Sequence, residues 1–341
     1  MDGTQTPPST GTRLGDARDV AELSDEYELL AELGRGGSAV VYHAVDRTLG
    51  REVAIKVVHP RPAAPGDDAV ARLAREARTV AQLQHANIVT VYAVRRLRSG
   101  GLALVMQLVP GTTLKSLVQR EGPLPPERCE RIVRDVAQAL RYAHARGVVH
   151  RDVKPENIFV DEESGRALLA DFGIARSTEH DSMTLTGTAI GTPFYMSPEQ
   201  VEGGALDGRS DLYSLGLVAW EMLTGRRPWD GESLYNVIWK QKHEELPPID
   251  AFRAGVPLRL QYVVERMLQK RPAARWAGAD GLMAQLDHAV LPADYGRWQA
   301  AHARRLEAWR AADRERRAAE VAAKPARGDR DASTVRFPRR P

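Results

Sequence analysis

Residues His150-Arg151-Asp152-Val153-Lys154-Pro155-Glu156-Asn157, with Asp171-Phe172-Gly173 beginning fourteen positions beyond Asn157, restrict the fold more than any other part of the chain. Two acids, a lysine and an asparagine at this spacing are what a site needs to hold magnesium, a triphosphate and an attacking hydroxyl together. Such a set works only if separate segments converge on one cleft, so the chain must build a crevice and bring both stretches to it.

The rest of the sequence is organised to supply that crevice. Residues 1–24 are rich in Thr, Pro, Gly and Asp without an apolar period, which predicts a disordered leader. Leu29–Leu33, Ala39–Val45 and Val53–Val58 read as short strands broken by glycine-bearing turns. Val70, Leu73, Ala77, Val80 and Leu83 then follow helical spacing, with Glu76 on the same stripe. A carboxylate on a core-facing stripe is costly unless it is paired, so Glu76 calls for a cationic partner. Strand-like runs return at 88–94 and 102–108, and beyond them helical patterns dominate at 114–120, 127–146, 211–223, 234–243 and 259–268. The expectation is an α+β fold of two lobes, a small antiparallel sheet with one key helix over 25–108 and a larger helical lobe over 109–290. The cleft falls near residues 107–111. Residues 291–341 form an Ala/Arg-rich extension, helical at first and predicted to be disordered from Pro325 onward. Two readings of its helix stand: Trp298, Leu306 and Trp309 pack on this chain or on a partner, or the helix is solvated.

Bulk properties narrow the function. A formal charge of +3 over 341 residues, with Lys and Arg not gathered on one element before the extension, is no nucleic-acid footprint. Cys129 is the single cysteine, so no intrachain disulfide or thiolate metal cage forms, in keeping with a cytoplasmic setting. It reads as a small helix residue. No run reaches the ~18 apolar residues that a membrane-spanning helix needs.

Several residues carry chemistry of their own. Gly34-Arg35-Gly36-Gly37-Ser38-Ala39-Val40-Val41 lies between two strands, a hairpin whose backbone can approach phosphate oxygens closely for want of side chains. Lys56, mid-strand among apolar neighbours, is disfavoured unless paired, and Glu76 is the natural partner. Asn157 and Asp171 offer hard oxygen ligands suited to magnesium.

These motifs resemble those of protein kinases, and more narrowly the eukaryotic-like serine/threonine kinases of bacteria. The resemblance covers about residues 26–289, with Ala39 standing where the family's glycine loop has its third glycine. It implies ATP bound by Leu33, Gly34, Arg35, Gly36, Gly37, Ser38, Ala39 and Val41 of the loop, with adenine between Val41 and Ala54 above and Phe159 below. Gln107 and Val109 would offer backbone bonds, and Met106 would stand at the back of the pocket. Lys56 would hold phosphates and Glu76 would orient it. Asp152 would act as catalytic base, Lys154 would neutralise charge on the γ-phosphate, and Asn157 and Asp171 would hold magnesium, or manganese in its place.

Lys154 and Thr192 match the serine/threonine-directed pattern, so the implied partners are proteins bearing Ser or Thr. Thr184 and Thr186 match an autophosphorylated pair in the family, with Ser182 and Thr188 close by, and Arg151 could pair with a phosphate placed there. A homodimer serving autophosphorylation is an option the resemblance leaves open. Glu199 and Arg275 match a structural ion pair, and Asp211 matches the acid that anchors the catalytic loop. A scaffold without activity would typically lack the lysine, the base or the metal acid, and all three are present. A small-molecule phosphotransferase would lack the peptide-docking segment Thr192–Glu199.

Overall fold

Alternation along one strand decides which residues face the cleft. In the computed structural model, which describes residues 17–36, 39–59, 69–172, 193–287 and 291–323, α1 (Ala17–Leu23) precedes β1 (Tyr27–Arg35), β2 (Ala39–Asp46) and β3 (Arg51–Val58). Then come α2 (Ala69–Ala81), β4 (Val91–Arg96) and β5 (Leu102–Gln107), and the five strands form an antiparallel sheet in the order β1-β2-β3-β5-β4. On β3, Val53, Ile55 and Val57 pack on one face with Leu23, Tyr27 and Tyr42. Ala54 and Val58 pack on the other face with Leu73, Ala74 and Ala77 of α2. A period of two therefore sends Lys56 to the α2 side, opposite Leu104 of β5.

The second lobe opens with β6 (Gly111–Thr113), α3 (Leu114–Glu121) and α4 (Pro126–His144), followed by β7 (Ile158–Asp161) and β8 (Ala167–Leu169). Its remaining helices are α5 (Pro198–Glu202), α6 (Gly208–Thr224), α7 (Leu234–His243), α8 (Leu258–Met267), α9 (Ala279–Asp287) and α10 (Tyr295–Ala323). Helix α6 is buried along nearly its whole length and forms the axis of the lobe's core. Cys129 is buried on α4 in that core. Strands β6, β7 and β8 make a small sheet in which Ile158 pairs with Leu169, so the 150–157 loop leading into β7 and Asp171 following β8 lie at the same end. Residues 87–89 tie the lobes together: the Leu169 amide donates to Asn87 O at 2.8 Å and the Val89 amide to Leu169 O at 3.0 Å. No helix among the described residues is long and apolar enough to cross a membrane.

One segment departs from expectation, and α10 takes one of the two readings its sequence left open. Helix α1 lies inside the stretch read as a leader, where Leu23 closes the outer face of the sheet and Asp19 is buried beside His59, Nε2 to Oδ2 2.9 Å. Its apolar positions are too few to register as a period but suffice to cover a preformed sheet face. Helix α10 is docked rather than solvated along its first half. Trp298 stacks edge-on against Tyr262 at 5.2 Å between ring centroids, and Trp309 lies 5.3 Å from Phe252. The polar centre of that contact is Glu265 of α8, which accepts from Trp298 Nε1 at 2.7 Å, His302 Nδ1 at 2.9 Å and Arg305. The region expected to be disordered from Pro325 lies outside the described residues.

The Glu265 bond raises the His302 pKa above its ordinary value. Burial works to raise that of Glu265, but His302 and Arg305 outweigh it and hold the carboxyl below its ordinary range. A raised histidine stabilises fully below its unfolded value, near 6.5, and loses this as pH climbs through the folded value; a depressed glutamate behaves oppositely below about 4.5. The clamp is therefore strongest between those two pH values. Thermal melts between pH 5 and 9 should show stability falling on the alkaline side of 6.5 in the parent chain, a fall absent in His302→Gln; parallel curves would contradict the clamp.

Candidate active site

Lys56 Nζ lies 2.7 Å from Asp171 Oδ1, joining the sheet to the segment after β8. Burial alone would push the Asp171 carboxyl up, but Lys56, with smaller help from His150 and Lys154, brings it below its ordinary value. Asp171 sits at φ 58°, a left-handed conformation that a non-glycine residue adopts at some cost and that turns its carboxylate towards the cleft.

The 150–157 loop is held from beneath by Asp211 at the start of α6, itself 1% exposed. Its Oδ2 accepts from the His150 amide at 2.8 Å and lies 2.7 Å from His144 Nε2, and its Oδ1 accepts from the Arg151 amide at 2.7 Å. His150, fully buried and kept neutral by burial, accepts the Asp152 amide on Nδ1 at 3.2 Å and so donates from Nε2 to Ala170 O at 2.9 Å. Its ring packs 4.5 Å from that of Phe172. One imidazole thus sets the spacing between Asp152 and the residue preceding Asp171.

Above this floor, Lys154 Nζ reaches Asp152 Oδ2 at 2.7 Å, and Asn157 Nδ2 donates to Asp152 O at 2.8 Å and to Oδ2 at 3.0 Å. The Asn157 amide nitrogen is thereby committed to Asp152, which leaves its Oδ1 as the atom able to meet a cation. One amide oxygen and one ionised carboxylate, Asn157 and Asp171, suit a hard cation that keeps water and phosphate in its remaining positions.

An apolar cluster lies between the lobes. Ala54 and Met106 belong to the cluster beneath the sheet with Leu168 and Ala170, and Ala39, Val41, Val109 and Phe159 pack against it. The Gln107 amide donates to Thr90 O at 2.9 Å, so its carbonyl is what Gln107 can offer a ligand. Leu33, Gly34 and Arg35 end β1, and the Gly36 amide closes the hairpin on Ala39 O at 2.7 Å. Arg35 is held by Glu32, Nη2 to Oε2 2.6 Å. Gly37 and Ser38 lie outside the described residues, as do Gly173, Ser182, Thr184, Thr186, Thr188 and Thr192.

Comparison with known proteins gives this geometry its lineage. A model of the protein kinase domain matches residues 27–288. The chain belongs to the protein kinase family. It is 39% identical over 278 residues to the serine/threonine-protein kinase PknL of Mycobacterium tuberculosis, covering 81% of this chain and 68% of that protein. It is 36% identical to PrkC of Bacillus subtilis over 77% of this chain and 40% of PrkC. The crystal structure of the M. tuberculosis PknI kinase domain superposes with a TM-score of 0.61 at 30% identity, over 77% of this chain and 95% of that one. This is a serine/threonine protein kinase of the bacterial eukaryotic-like group, with the kinase's antiparallel sheet lobe and helical lobe.

The expected pairing of Lys56 with Glu76 is not formed in this kinase. Lys56 is taken by Asp171, and Glu76 Oε2 is buried without a hydrogen-bond partner beside a 170 Å³ cavity lined also by Arg151 and Phe172. The stripe on α2 gave the face of Glu76 correctly but carried no information on the helix's rotation and distance from β3. Sequence reasoning passed over His150 as a peg, the Asn87 to Ala167 O bond at 2.9 Å, and the Gln200 side chain, which donates to Arg151 O at 2.7 Å. The capping box of Ser197 and Gln200 was a legible sign that Gln200 had a fixed place.

Glu199 and Arg275 form a two-pronged pair at 2.6 and 2.7 Å. All five guanidinium N–H groups are used, since Arg275 also donates to the carbonyls of Gln269, Arg209 and Lys270. Burial works to raise the Glu199 pKa, and the Arg275 and Ser210 bonds bring it below its ordinary value. Arg275→Ala should cost about 3–5 kcal/mol by stranding a buried carboxylate. Denaturant unfolding measures this, and a loss under about 1 kcal/mol would show the pair to be peripheral.

Proposed function

We propose that this kinase transfers the γ-phosphate of ATP to Ser and Thr hydroxyls of proteins in a magnesium- or manganese-dependent reaction, and that phosphorylation of its own loop activates it in bacterial signalling. The observation that carries this reading is the convergence on one cleft of Asp152, held by Lys154 and Asn157, and Asp171, held by Lys56. Asp152 accepts the hydroxyl proton of the substrate as the new O–P bond forms and the bond between the γ-phosphorus and the bridging oxygen of ADP breaks. Lys154, already within reach of Asp152, faces the charge on the transferring group. Val41, Ala54, Met106, Val109 and Phe159 would enclose adenine, with the glycine hairpin over the phosphates. A divalent ion, held by Asn157 and Asp171, would supply neutralisation of phosphate charge.

The protein substrates follow the family, and Thr184 and Thr186 are the hydroxyls proposed for the activating phosphates. Arg151 would meet such a phosphate through its fork of N–H donors.

Incubation of the purified chain with labelled ATP, magnesium or manganese and a generic basic protein tests the reading directly. Asp152→Asn should lower transfer roughly 10²–10⁴-fold while nucleotide still binds; near-parental turnover would remove Asp152 from the role. Replacing Thr184 and Thr186 together by Ala should slow the rise in activity during preincubation with ATP. Fully active enzyme with no phosphate between Asp171 and Glu199 by mass spectrometry would dismiss the loop switch.

A further inference from the structure

Helix α10 lies beyond residue 288, where the match to the protein kinase domain stops, yet it does more than cover α8. It also braces the connection from α7 to α8, at Glu245, Asp250 and Phe252. Arg305 Nη1 lies 2.8 Å from Glu245 Oε2, His302 Nε2 3.6 Å from Asp250 Oδ2, and the Trp309 ring 5.3 Å from that of Phe252. From the other side the same stretch is held by Trp220 of α6, whose Nε1 donates to Pro247 O at 3.1 Å and whose ring meets Phe252 edge-on at 5.4 Å. The connection is clasped between α6 and α10.

Arg305 is the contact best built to fix a position. Its Nη2 is tied to Glu265, whose side chain is 9% exposed, so the guanidinium is already oriented where Glu245 meets it. That removes much of the side-chain entropy cost that makes an ordinary exposed ion pair weak. Glu245 stands two residues past His243, the last of α7, so what α10 holds is the end of α7.

Helix α7 in turn holds the segment before α5. Gln241 is fully buried, accepts from Tyr213 OH on Oε1 at 2.8 Å, and donates from Nε2 to Phe194 O at 2.9 Å and Pro193 O at 3.3 Å. Its own carbonyl accepts from Lys270 Nζ at 2.9 Å, and Lys240 O from the same ammonium at 3.3 Å. With its amide group and its carbonyl all engaged, Gln241 cannot follow a displacement of α7 without losing bonds to residues 193–194. That segment runs on to Gln200, which donates to Arg151 O at 2.7 Å and so ties it to the catalytic loop.

We infer that α10 is a positioning element for the protein substrate: Arg305, through Glu245 and α7, sets the place of Gln241 and with it residues 193–200 beside the catalytic loop. This rests on the proposed function, in which that segment receives the substrate protein. Among the described residues, the bonds of the brace do not reach Asp152, Asp171 or Lys56. Its loss should therefore appear in recognition of the protein and leave nucleotide binding alone.

The test compares R305Q, E245Q and the double variant of the full chain. With myelin basic protein as substrate, each single variant should raise the KM for the protein about threefold or more, with kcat and the KM for ATP within about twofold of the parent. The double variant should match R305Q, since the two residues act through one bond. Effects that add, or that fall on kcat or on ATP instead, would leave Arg305 a stabiliser of α8 and overturn the inference. Hydrogen exchange read by mass spectrometry needs no turnover: in R305Q, peptides covering 193–200 and α7 should exchange about threefold faster than in the parent, while those of α4 keep the parental rate. Unchanged exchange in 193–200, or acceleration spread evenly over the lobe, would equally overturn it. A parent chain inactive towards the basic protein would count against the proposed function, and the exchange result would then decide the inference by itself.

Discussion

The carboxylate of Asp211 holds the 150–157 loop in a backbone conformation that the loop would not keep unaided. Arg151 sits at φ 65°, a region costing a non-glycine residue ~1 kcal/mol or more. Two amide bonds to a buried carboxylate, at ~1.5–3 kcal/mol each when charge-assisted, outweigh that cost. The anchor has its own support. His144 stands against Asp211 because α6 begins with Gly208, where a Cβ would lie 2.4 Å from the histidine ring. Gln200 then receives the turned Arg151 carbonyl, and Ser197 caps the short helix that carries Gln200. The loop is thus set by α4, α5 and α6 together, while the side chains doing chemistry stand on its other side.

From this floor the order of the site propagates through one imidazole. His150 bonds the Asp152 amide and the Ala170 carbonyl with its two ring nitrogens, an arrangement that requires the neutral ring. Burial favours that form. A charged ring would place a proton where Nδ1 must accept, so a single desolvated group fixes both the position of Asp152 and the start of the segment bearing Asp171.

Much of this was legible in the sequence, because it rests on short-range periodicity. The apolar neighbours of Lys56 marked it as a lysine in need of a partner, the stripe on α2 turned Glu76 inward, and the order of strands and helices gave two lobes. What was not legible depends on partners distant in sequence. The aromatic positions of α10 were legible as a packing face, but its attachment centres on Glu265, and two of the three donors to that carboxylate, His302 and Arg305, look like solvated residues when read along the helix. Helix α1 is too short for a period and acquires its place from the sheet face beneath it. The Lys56 partner was misread because spacing names a face and not a distance.

That misreading exposes a competition built into the cleft. Glu76 Oε2, buried and without a hydrogen-bond partner, carries a desolvation cost of ~1–3 kcal/mol that a cation could relieve. Lys56 is the cation that its strand faces towards α2, yet Asp171 already holds it at 2.7 Å. A divalent ion at Asp171 would compete with Lys56 for the same carboxylate and release the ammonium. The freed Lys56 would then lower the cost of Glu76 by drawing α2 towards β3, at the expense of the 170 Å³ cavity between α2 and the loop. The position of α2 would in that case be coupled to what occupies Asp171 through one shared ammonium, and the coupling could be no larger than the difference between the two carboxylates' hold on it.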